Sequence, residues 1–275
     1  MSRVWLVTGA NSGFGRAITE AAVAAGDTVV AAVRRTSALD DLVAAHPDQV
    51  DPVQLDVTDT GQAAAVAADV IARHGRIDVL VNNAGRTHVG ALEETTEAEL
   101  RALFDVHVFG PAALVRAVLP HMRERRTGAV VQLSSMGGQL SFAGFGAYSA
   151  TKFALEGMSE ALADEVAPYG IKVLIVEPGS FRTGLFAAGT ASSETGPYAD
   201  TVGPTRRMIE AGDGKQPGDP AKAAAAVLTA LAAEQTPLRL PLGDDAVDAV
   251  LGHLDRVRTE IESWETVARD TAFEG

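Results

Sequence analysis

The sequence predicts an α/β fold built on a doubly wound parallel sheet of about seven strands, with helices on both faces. Three observations lead to this prediction: short apolar runs alternate with longer helical patterns, glycines cluster directly after the first run, and polar residues close several later runs. Alternating strands and helices form parallel sheets with right-handed crossovers, which bind ligands outside the carboxyl ends of their strands. We therefore expect the functional site at those ends.

Composition limits the class of protein. With 275 residues, 47% of them hydrophobic, the chain can form one domain over residues 1–275 with a sizeable core. It has no cysteine, which excludes disulfides and thiolate metal sites and favours a reducing cytosol. The histidines show no metal-ligand spacing, so no metal site is predicted. A net charge of −13 argues against a nucleic-acid partner.

The sequence also predicts a cytoplasmic location. Its first residues run directly into a short strand pattern and lack the longer apolar region of a secretory signal. We see no run that approaches the ~20 apolar residues of a transmembrane helix, so we expect no membrane contact.

The first predicted strand, residues 3–7, is followed by a glycine-rich turn and an amphipathic helix. The turn reads TGANSGFG, with the spacing Gly9-x-x-x-Gly13-x-Gly15. A strand, a glycine turn and a helix N-terminus together present backbone N–H groups to a phosphate, as in Rossmann-type dinucleotide sites. The spacing differs from the commonest dinucleotide fingerprint, and a tight connection without a ligand is the alternative.

The second predicted strand, residues 28–33, is followed by Arg34 and Arg35. An NAD site usually has an acidic residue in this region, which bonds the ribose 2′-hydroxyl. Guanidinium groups instead bind a 2′-phosphate in bidentate fashion. The pair therefore favours NADP(H) over NAD(H), with a solvated surface as the alternative.

Five further strands are predicted, and most end in small or polar residues. The predicted strands cover residues 50–55, 77–81, 128–133, 171–176 and 238–242, and the segments that close them include Asp56-Val57, Asn82-Asn83-Ala84-Gly85, Ser135 and the stretch from Pro178 to Thr183. Predicted helices cover 62–74, about 95–126, 147–167, a segment from Pro220, and about 244–268. The motifs thus gather at one rim of the sheet.

Tyr148 and Lys152 are separated by one helical turn and project from one helix face. An ammonium beside a phenol favours the phenolate, which would lower the tyrosine pKa from roughly 10 and allow acid–base chemistry near neutral pH. Ser135 closes a strand thirteen residues before Tyr148. A chance helical pair is the alternative when the two residues are taken alone.

The ordered set TGANSGFG, NNAG, Ser135, YSATK and PGSFRT resembles the short-chain dehydrogenase/reductase family over about residues 3–185. This resemblance implies an NAD(P)-dependent oxidoreductase that interconverts a secondary alcohol and a ketone or aldehyde, with NADPH-dependent carbonyl reduction as the preferred direction. It also implies a small-molecule substrate and a homodimer or homotetramer. A catalytically silent NADP-binding regulator or scaffold of the same fold is the alternative.

The resemblance assigns roles to the matching residues. Tyr148 is the general acid in reduction, Lys152 lowers its pKa and bonds the nicotinamide ribose, and Ser135 orients the substrate carbonyl. Ser134 is the competing serine, but successive strand residues point in opposite directions, so only one of the two faces the substrate. The cofactor-binding set implied by the family comprises Gly9, Asn11, Ser12, Gly13, Phe14, Gly15, Arg34, Arg35, Asp56, Val57, Asn83, Ala84, Gly85, Tyr148, Lys152, Pro178, Gly179, Phe181 and Thr183.

One position departs from the family pattern. Many members carry an asparagine that holds a water in a proton relay to the lysine, and His107 stands in its place. The histidine can support the relay through its carbonyl or ring, or it can be a packed helix residue. We include His107 among the candidate catalytic residues.

The segment from 185 to 218 is rich in small residues and proline and is predicted to be a lid over the substrate. Phe186, Tyr198 and Met208 are its candidate pocket residues, and they favour a hydrophobic carbonyl substrate. His88 follows the NNAG motif, and we expect either a surface position or an approach to the substrate cleft.

Overall fold

The computed structural model, which describes residues 2–273, contains a seven-stranded parallel sheet with the order β3-β2-β1-β4-β6-β7-β9. A second, two-stranded sheet pairs β5 with β8. The strands are β1 (Val4–Thr8), β2 (Thr28–Val33), β3 (Val50–Gln54), β4 (Val79–Asn82), β5 (His88–Val89), β6 (Gly128–Leu133), β7 (Ile171–Pro178), β8 (Thr190–Ala191) and β9 (Arg239–Leu242). The predicted fold class is confirmed.

Helices cover both faces of the large sheet. They are α1 (Gly13–Ala24), α2 (Asp40–Ala45), α3 (Gln62–His74), α4 (Glu97–Phe104), α5 (Gly110–Arg125), α6 (Gly146–Val166), α7 (Gly203–Gly212), α8 (Pro220–Ala232), α9 (Asp244–Ser263) and α10 (Glu265–Arg269). A π-helical turn, Asp105–Phe109, joins α4 to α5. Helices α1 and α8 pack on one face of the sheet, and helices α3, α5 and α6 pack on the other face.

The alternation of side chains along β1 explains the two cores. Trp5 and Val7 point into the layer with α1 and α8, whereas Val4 and Leu6 point into the layer with α3 and α5. All four side chains are buried, as expected for a parallel strand covered on both faces. The sheet is therefore fixed from both sides, and its carboxyl edge is left for the site.

The single helix predicted for residues 95–126 is interrupted. It begins with a capping box, in which Thr96 accepts a hydrogen bond from the Glu99 backbone and Glu99 bonds back to Thr96. At Asp105–Phe109 the helix widens to a π turn, directly before Gly110. A Cβ at Gly110 would lie 2.5 Å from the Val57 carbonyl oxygen, so the backbone passes very close to the loop after β3. Turns of this kind occur frequently at functional sites.

We expected no run long and apolar enough to cross a membrane, and this expectation is wrong. The segment Glu97–Arg125 has the length and the composition of a transmembrane helix. Its apolar residues Leu114, Val118 and Met122 are buried against the sheet, which is the arrangement of a core helix.

The region predicted as a lid contains regular structure. Within residues 185–218 lie β8 and α7, and β8 pairs in parallel with β5. A buried salt bridge of 2.8 Å joins Arg206 to Glu94, and Glu94 also accepts a hydrogen bond from the Thr195 backbone. The middle of the region is therefore attached to the segment after β5. At the C-terminus, the long helix predicted for 244–268 is divided at Trp264 into α9 and α10.

Candidate active site

A cleft of about 760 Å³ opens where the carboxyl ends of the strands meet. It brings together most of the predicted site residues: Gly9, Asn11, Ser12, Gly13, Phe14, Arg34, Asp56, Val57, Asn83, Ala84, Gly85, His107, Ser135, Tyr148, Lys152, Pro178, Gly179, Phe181 and Thr183. Gly15 and Arg35 do not line it. Arg35 is exposed and lies outside the set of residues that line the cleft, so its contact with the cofactor stays a prediction.

The glycine turn gives the cleft a backbone that few other residues could form. Gly9 and Gly13 have φ values of +65° and +53°, in the left-handed region that favours glycine. Gly15 contributes by close packing, because a Cβ there would lie 2.3 Å from the Gly9 carbonyl oxygen. The first N–H groups of a helix have no intrahelical partner. Because the Ser12 side chain does not cap α1, these groups can bind a ligand. This end of the cleft fits the diphosphate of a dinucleotide.

Thr8 links the glycine turn to the NNAG motif. Its Oγ1 accepts hydrogen bonds from the backbone N–H groups of Asn83 and Ala84, at 2.9 and 3.0 Å, and it donates to the Val81 carbonyl. Asn83 Nδ2 in turn donates to the Thr8 carbonyl at 2.8 Å. The sequence marked Thr8 only as the residue that closes β1, and its hydroxyl could not be assigned before the two loops were known to meet.

Asp56 and Arg34 both line the cleft, Asp56 shortly after β3 and Arg34 directly after β2. Asp56 accepts hydrogen bonds from the backbone and hydroxyl of Thr58, at 3.0 and 2.8 Å, and these bonds hold the pKa of its carboxyl below the usual range. The Arg34 charge favours the same ionised form. Arg34 itself is exposed at the rim and lines the cleft.

Ser135, Tyr148 and Lys152 meet at the other end of the cleft. Ser135 Oγ accepts a hydrogen bond from Gly137 N at 3.0 Å and lies 3.5 Å from the Pro178 carbonyl oxygen, to which it donates. The Ser135 hydroxyl is also close enough to Tyr148 to favour its ionised form. The competing Ser134 also lines the cleft, but its Oγ is buried beside Gly138 and has no hydrogen-bond partner among the described residues. Ser135, not Ser134, is the serine whose hydroxyl affects Tyr148.

The expected lowering of the Tyr148 pKa by Lys152 is not found in this structure. Burial raises the pKa of Tyr148 to about 12, although the Ser135 hydroxyl opposes this change. Lys152 Nζ lies 5.7 Å from the centre of the tyrosine ring and donates to the Leu133 carbonyl at 2.8 Å. Burial also lowers the pKa of Lys152 to about 8. Desolvation is thus the largest cause of both pKa shifts.

These motifs agree with the comparison to known proteins. Residues 3–193 match the family described as short chain dehydrogenase. The protein belongs to the short-chain dehydrogenase/reductase family. A crystal structure of a short-chain dehydrogenase from Streptomyces avermitilis is 67% identical, with a TM-score of 0.93 and 98% of each chain covered. The resemblance seen in the sequence is confirmed, and this short-chain dehydrogenase is an oxidoreductase that binds a nicotinamide cofactor.

Other relatives carry more specific names. Oxidoreductase BOA17 of Botryotinia fuckeliana is 35% identical over 99% of this chain and 100% of its own length. The 3-ketodihydrosphingosine reductase of Bacteroides thetaiotaomicron is 36% identical over 88% of each chain. Solved relatives include a Burkholderia phymatum enzyme with NAD (25% identity, TM-score 0.83, 96% and 95% covered) and a Burkholderia cenocepacia enzyme with NADP (26%, 0.75, 95% and 97%).

In this short-chain dehydrogenase, His107 is a buried residue of the π turn with both ring nitrogens occupied. Nε2 lies 3.2 Å from Arg86 N, whose N–H can only donate, and Nδ1 lies 2.8 Å from Thr151 Oγ1. Burial and the charge of Lys152 hold the pKa of His107 well below its usual value. The ring is therefore neutral, with its proton on Nδ1, and it packs edge-on against Tyr148.

The substrate end is formed by the segment after β7. Leu185, Phe186, Ala188 and Thr190 line the cleft, but Tyr198 and Met208 do not, so only Phe186 among the three predicted pocket residues has that position. His88 is neither at the surface nor in the cleft. It is buried in β5, with its ring nitrogens 2.9 Å from Thr190 Oγ1 and Ser192 Oγ.

A buried carboxyl pair lies one helical turn beyond Lys152. Gln139 and Arg239 each contact both the Glu156 and the Glu177 carboxyl, which brings the two acidic groups together. Burial and the Glu156 carboxylate raise the pKa of Glu177 to about 7. Sequence reasoning placed Glu177 only at a strand end, because the pairing joins residues of α6, β7 and β9. Within residues 2–273, no group of three or more acidic or histidine side chains is arranged to hold a metal ion.

Proposed function

We propose that this protein is an NADPH-dependent carbonyl reductase that converts a ketone or aldehyde to an alcohol. With the oxidised cofactor, NADP+, it catalyses the reverse reaction. The observation that carries the proposal is that Ser135, Tyr148 and Lys152 line the same cleft as the glycine turn and Arg34, with Lys152 Nζ 5.7 Å from the centre of the Tyr148 ring. The bound cofactor supplies the hydride. The protein has to bind the carbonyl compound, polarise it and donate one proton.

The proton has a defined source. A phenol whose pKa is about 12 is protonated throughout the neutral range, so Tyr148 can act as the acid in reduction. Ser135 lines the same cleft, and its single hydroxyl proton can turn from the Pro178 carbonyl to the carbonyl oxygen of the substrate. As Tyr148 transfers its proton, negative charge develops on the phenol oxygen, and the Lys152 ammonium stabilises that charge. His107 positions this group but does not exchange protons, because both its ring nitrogens are engaged.

The positive charge of Arg34 supports a preference for NADPH. Arg34 lines the cleft directly after β2, where a guanidinium group suits a 2′-phosphate, and no acidic residue stands there instead. The cleft also has apolar residues at its substrate end, Leu185 and Phe186, which suit a substrate with an apolar body. We further propose a cytosolic homo-oligomer, as the absence of cysteine and the family resemblance suggest.

The test is an NADPH oxidation assay with a panel of ketones and aldehydes, combined with equilibrium binding of NADPH. We expect turnover of some members by the wild-type protein and a loss of roughly 10²–10⁴-fold in Tyr148→Phe, the usual contribution of a general acid. Tyr148→Phe should still bind NADPH. Tight cofactor binding without turnover of any carbonyl compound would instead favour a regulatory or scaffold protein.

A further inference from the structure

Arg86 is a cation in the cleft that has no role in the proposed carbonyl reduction. It directly follows the Asn83–Gly85 segment and lines the cleft. Its backbone N–H is fixed by His107 Nε2 at 3.2 Å, and the His107 ring centre lies 5.6 Å from that of Tyr148. The Arg86 backbone is therefore separated from the tyrosine by a single imidazole ring.

The Arg86 side chain lacks the partners that other partly buried arginines have. Arg206, Arg125 and Arg239 each form a salt bridge with a buried carboxylate. Among residues 2–273, Arg86 forms none, and its Nε is buried without a hydrogen-bond partner. An unpaired buried donor on a charged group is destabilising, because it has lost its hydrogen bonds to water without replacing them. Such a group is suited to an acceptor that comes from a ligand.

The position of Arg86 associates it with the substrate end. The parallel pairing of β5 with β8 sets His88 opposite Thr190, so the residues that precede His88 run beside the segment that precedes Thr190. That segment carries Phe186 and Ala188, which line the cleft. The phosphate-binding features, in contrast, belong to the turn before α1 and to the end of β2. Arg86 thus belongs to a different segment of the cleft lining from Gly13, Ser12 and Arg34, the residues that suit the cofactor phosphates.

We infer that Arg86 binds a carboxylate of the substrate, so that the preferred substrate is an oxo acid or hydroxy acid with an apolar body. This inference rests on the proposed function and narrows its substrate class. A guanidinium group binds a carboxylate through two parallel hydrogen bonds. These bonds raise the affinity for the substrate and also fix the orientation of its reacting carbonyl group. With a net charge of −13 on the chain, an anionic substrate needs such a local cation.

The test compares oxo acids with their neutral methyl esters. The probes are benzoylformate, benzoylacetate and levulinate, each with its ester, because the distance between carbonyl and carboxylate increases along this series. The variants are Arg86→Gln and Arg86→Lys, and the control is Arg101→Gln, whose arginine is exposed on α4 and pairs only with Glu97. We measure kcat/KM for each probe, KM for NADPH, and direct calorimetric binding of each acid with and without NADPH.

We expect the wild-type protein to prefer at least one acid over its ester. Arg86→Gln should lower kcat/KM for that acid by about 10–100-fold, the range of a charged hydrogen bond, and should leave the ester and the KM for NADPH unchanged. Arg86→Lys should recover part of the loss, because it keeps the charge but not the bidentate geometry. Arg101→Gln should match the wild type with every probe.

Two results would overturn the inference. One is an unchanged preference between acid and ester in Arg86→Gln together with a raised KM for NADPH, which would assign Arg86 to the cofactor diphosphate. The other is acid binding that is absent, or equal in wild type and Arg86→Gln, by calorimetry. If esters are reduced and acids show no dependence on Arg86, only the inference fails. If no probe is reduced but acids bind through Arg86, the proposed reaction fails and the anion site remains.

Discussion

His107 Nδ1 lies 2.8 Å from Thr151 Oγ1, and that hydroxyl donates to the Tyr148 carbonyl at 2.7 Å. Because Nε2 accepts from the Arg86 backbone, the proton of the neutral ring resides on Nδ1. This arrangement connects three segments, the loop after β4, the π turn and α6. It gives His107 a positioning role where many family members have an asparagine.

We predict that His107→Asn keeps kcat within about a hundredfold of the wild-type value, which corresponds to roughly 2.7 kcal/mol of barrier. The reason is that an amide can replace part of the hydrogen bonding of the ring, and the ring transfers no proton. The measurement is kcat for a ketone reduced by the wild-type protein. A larger loss would show that the imidazole is specific to the mechanism.

The same substitution changes how stability depends on pH. The folded-state pKa of His107 is lowered, whereas an unfolded histidine titrates near 6.5, so the unfolded chain binds more protons as the pH falls below 6.5. The wild-type protein therefore loses stability in that range, by at most about 1.4 kcal/mol per pH unit from this group. Urea unfolding of wild type and His107→Asn should converge or cross as the pH falls from 7 to 5. A constant difference would contradict a neutral buried ring.

Lys152 should determine the alkaline side of the rate profile. Its pKa is lowered to about 8, so it loses its charge as the pH rises through that value, while Tyr148 remains protonated. We predict that kcat/KM for carbonyl reduction falls above about pH 8. Lys152→Arg keeps a cation at every accessible pH, and its profile should lack this fall even if its overall rate is lower. An identical fall in both proteins would assign it to another group.

Arg34 and Arg35 offer a matched pair for the cofactor preference. Both follow β2, but only Arg34 lines the cleft. We predict that Arg34→Asp raises KM for NADPH by about 10–100-fold, because it replaces a charged hydrogen-bond donor with a repelling carboxylate, and that it affects NADH far less. Arg35→Asp should alter neither value appreciably. Equal effects of Arg34→Asp on both cofactors would argue against a role in binding a 2′-phosphate.

The fold was largely predictable because each main strand is a buried apolar run with a clear end. β6 begins at Gly128 and ends at Leu133, as its sequence predicts. The two strands of the small sheet were missed because each has only two residues, too few to show a hydrophobic period. Their pairing also joins His88 to Thr190, which are far apart in the sequence. The π turn was missed for a similar reason. Its local sequence is helical, and the extra residue depends on the contact of Gly110 with the loop after β3.

The site was predictable where chemistry depends on spacing along one element, and less so where it depends on burial. The separation of Tyr148 and Lys152 fixed their common helix face, and the spacing to Tyr148 that the family shows favoured Ser135 over Ser134. The pKa of Tyr148 was predicted in the wrong direction because desolvation depends on the complete fold. Arg86 had no signal in the sequence, since only the absence of a partner in the folded chain distinguishes it.

Glu177 should make the protein less stable as the pH rises. Its folded-state pKa is raised from 4.5 to about 7, so its stabilising contribution is present below about pH 4.5 and is lost as the pH rises through 7. Glu177→Gln mimics the protonated carboxyl. We predict that it matches the wild type near pH 5 and is more stable at pH 8 in urea unfolding. Glu160→Gln, which changes an exposed partner of Arg239, should not show this dependence on pH.

Gly15 tests whether close packing or flexibility explains the last glycine of the turn. A Cβ at this position would lie 2.3 Å from the Gly9 carbonyl oxygen and 2.4 Å from Asn83 Nδ2, so two loops of the cleft would have to separate. We predict that Gly15→Ala lowers the melting temperature and weakens NADPH binding. The control is Gly157→Ala in the exposed face of α6, where nothing lies within 4 Å and alanine should stabilise the helix by about 0.5–1 kcal/mol. If Gly15→Ala is as stable as Gly157→Ala and binds NADPH normally, the contact between the glycine turn and Asn83 is not needed to form the cleft.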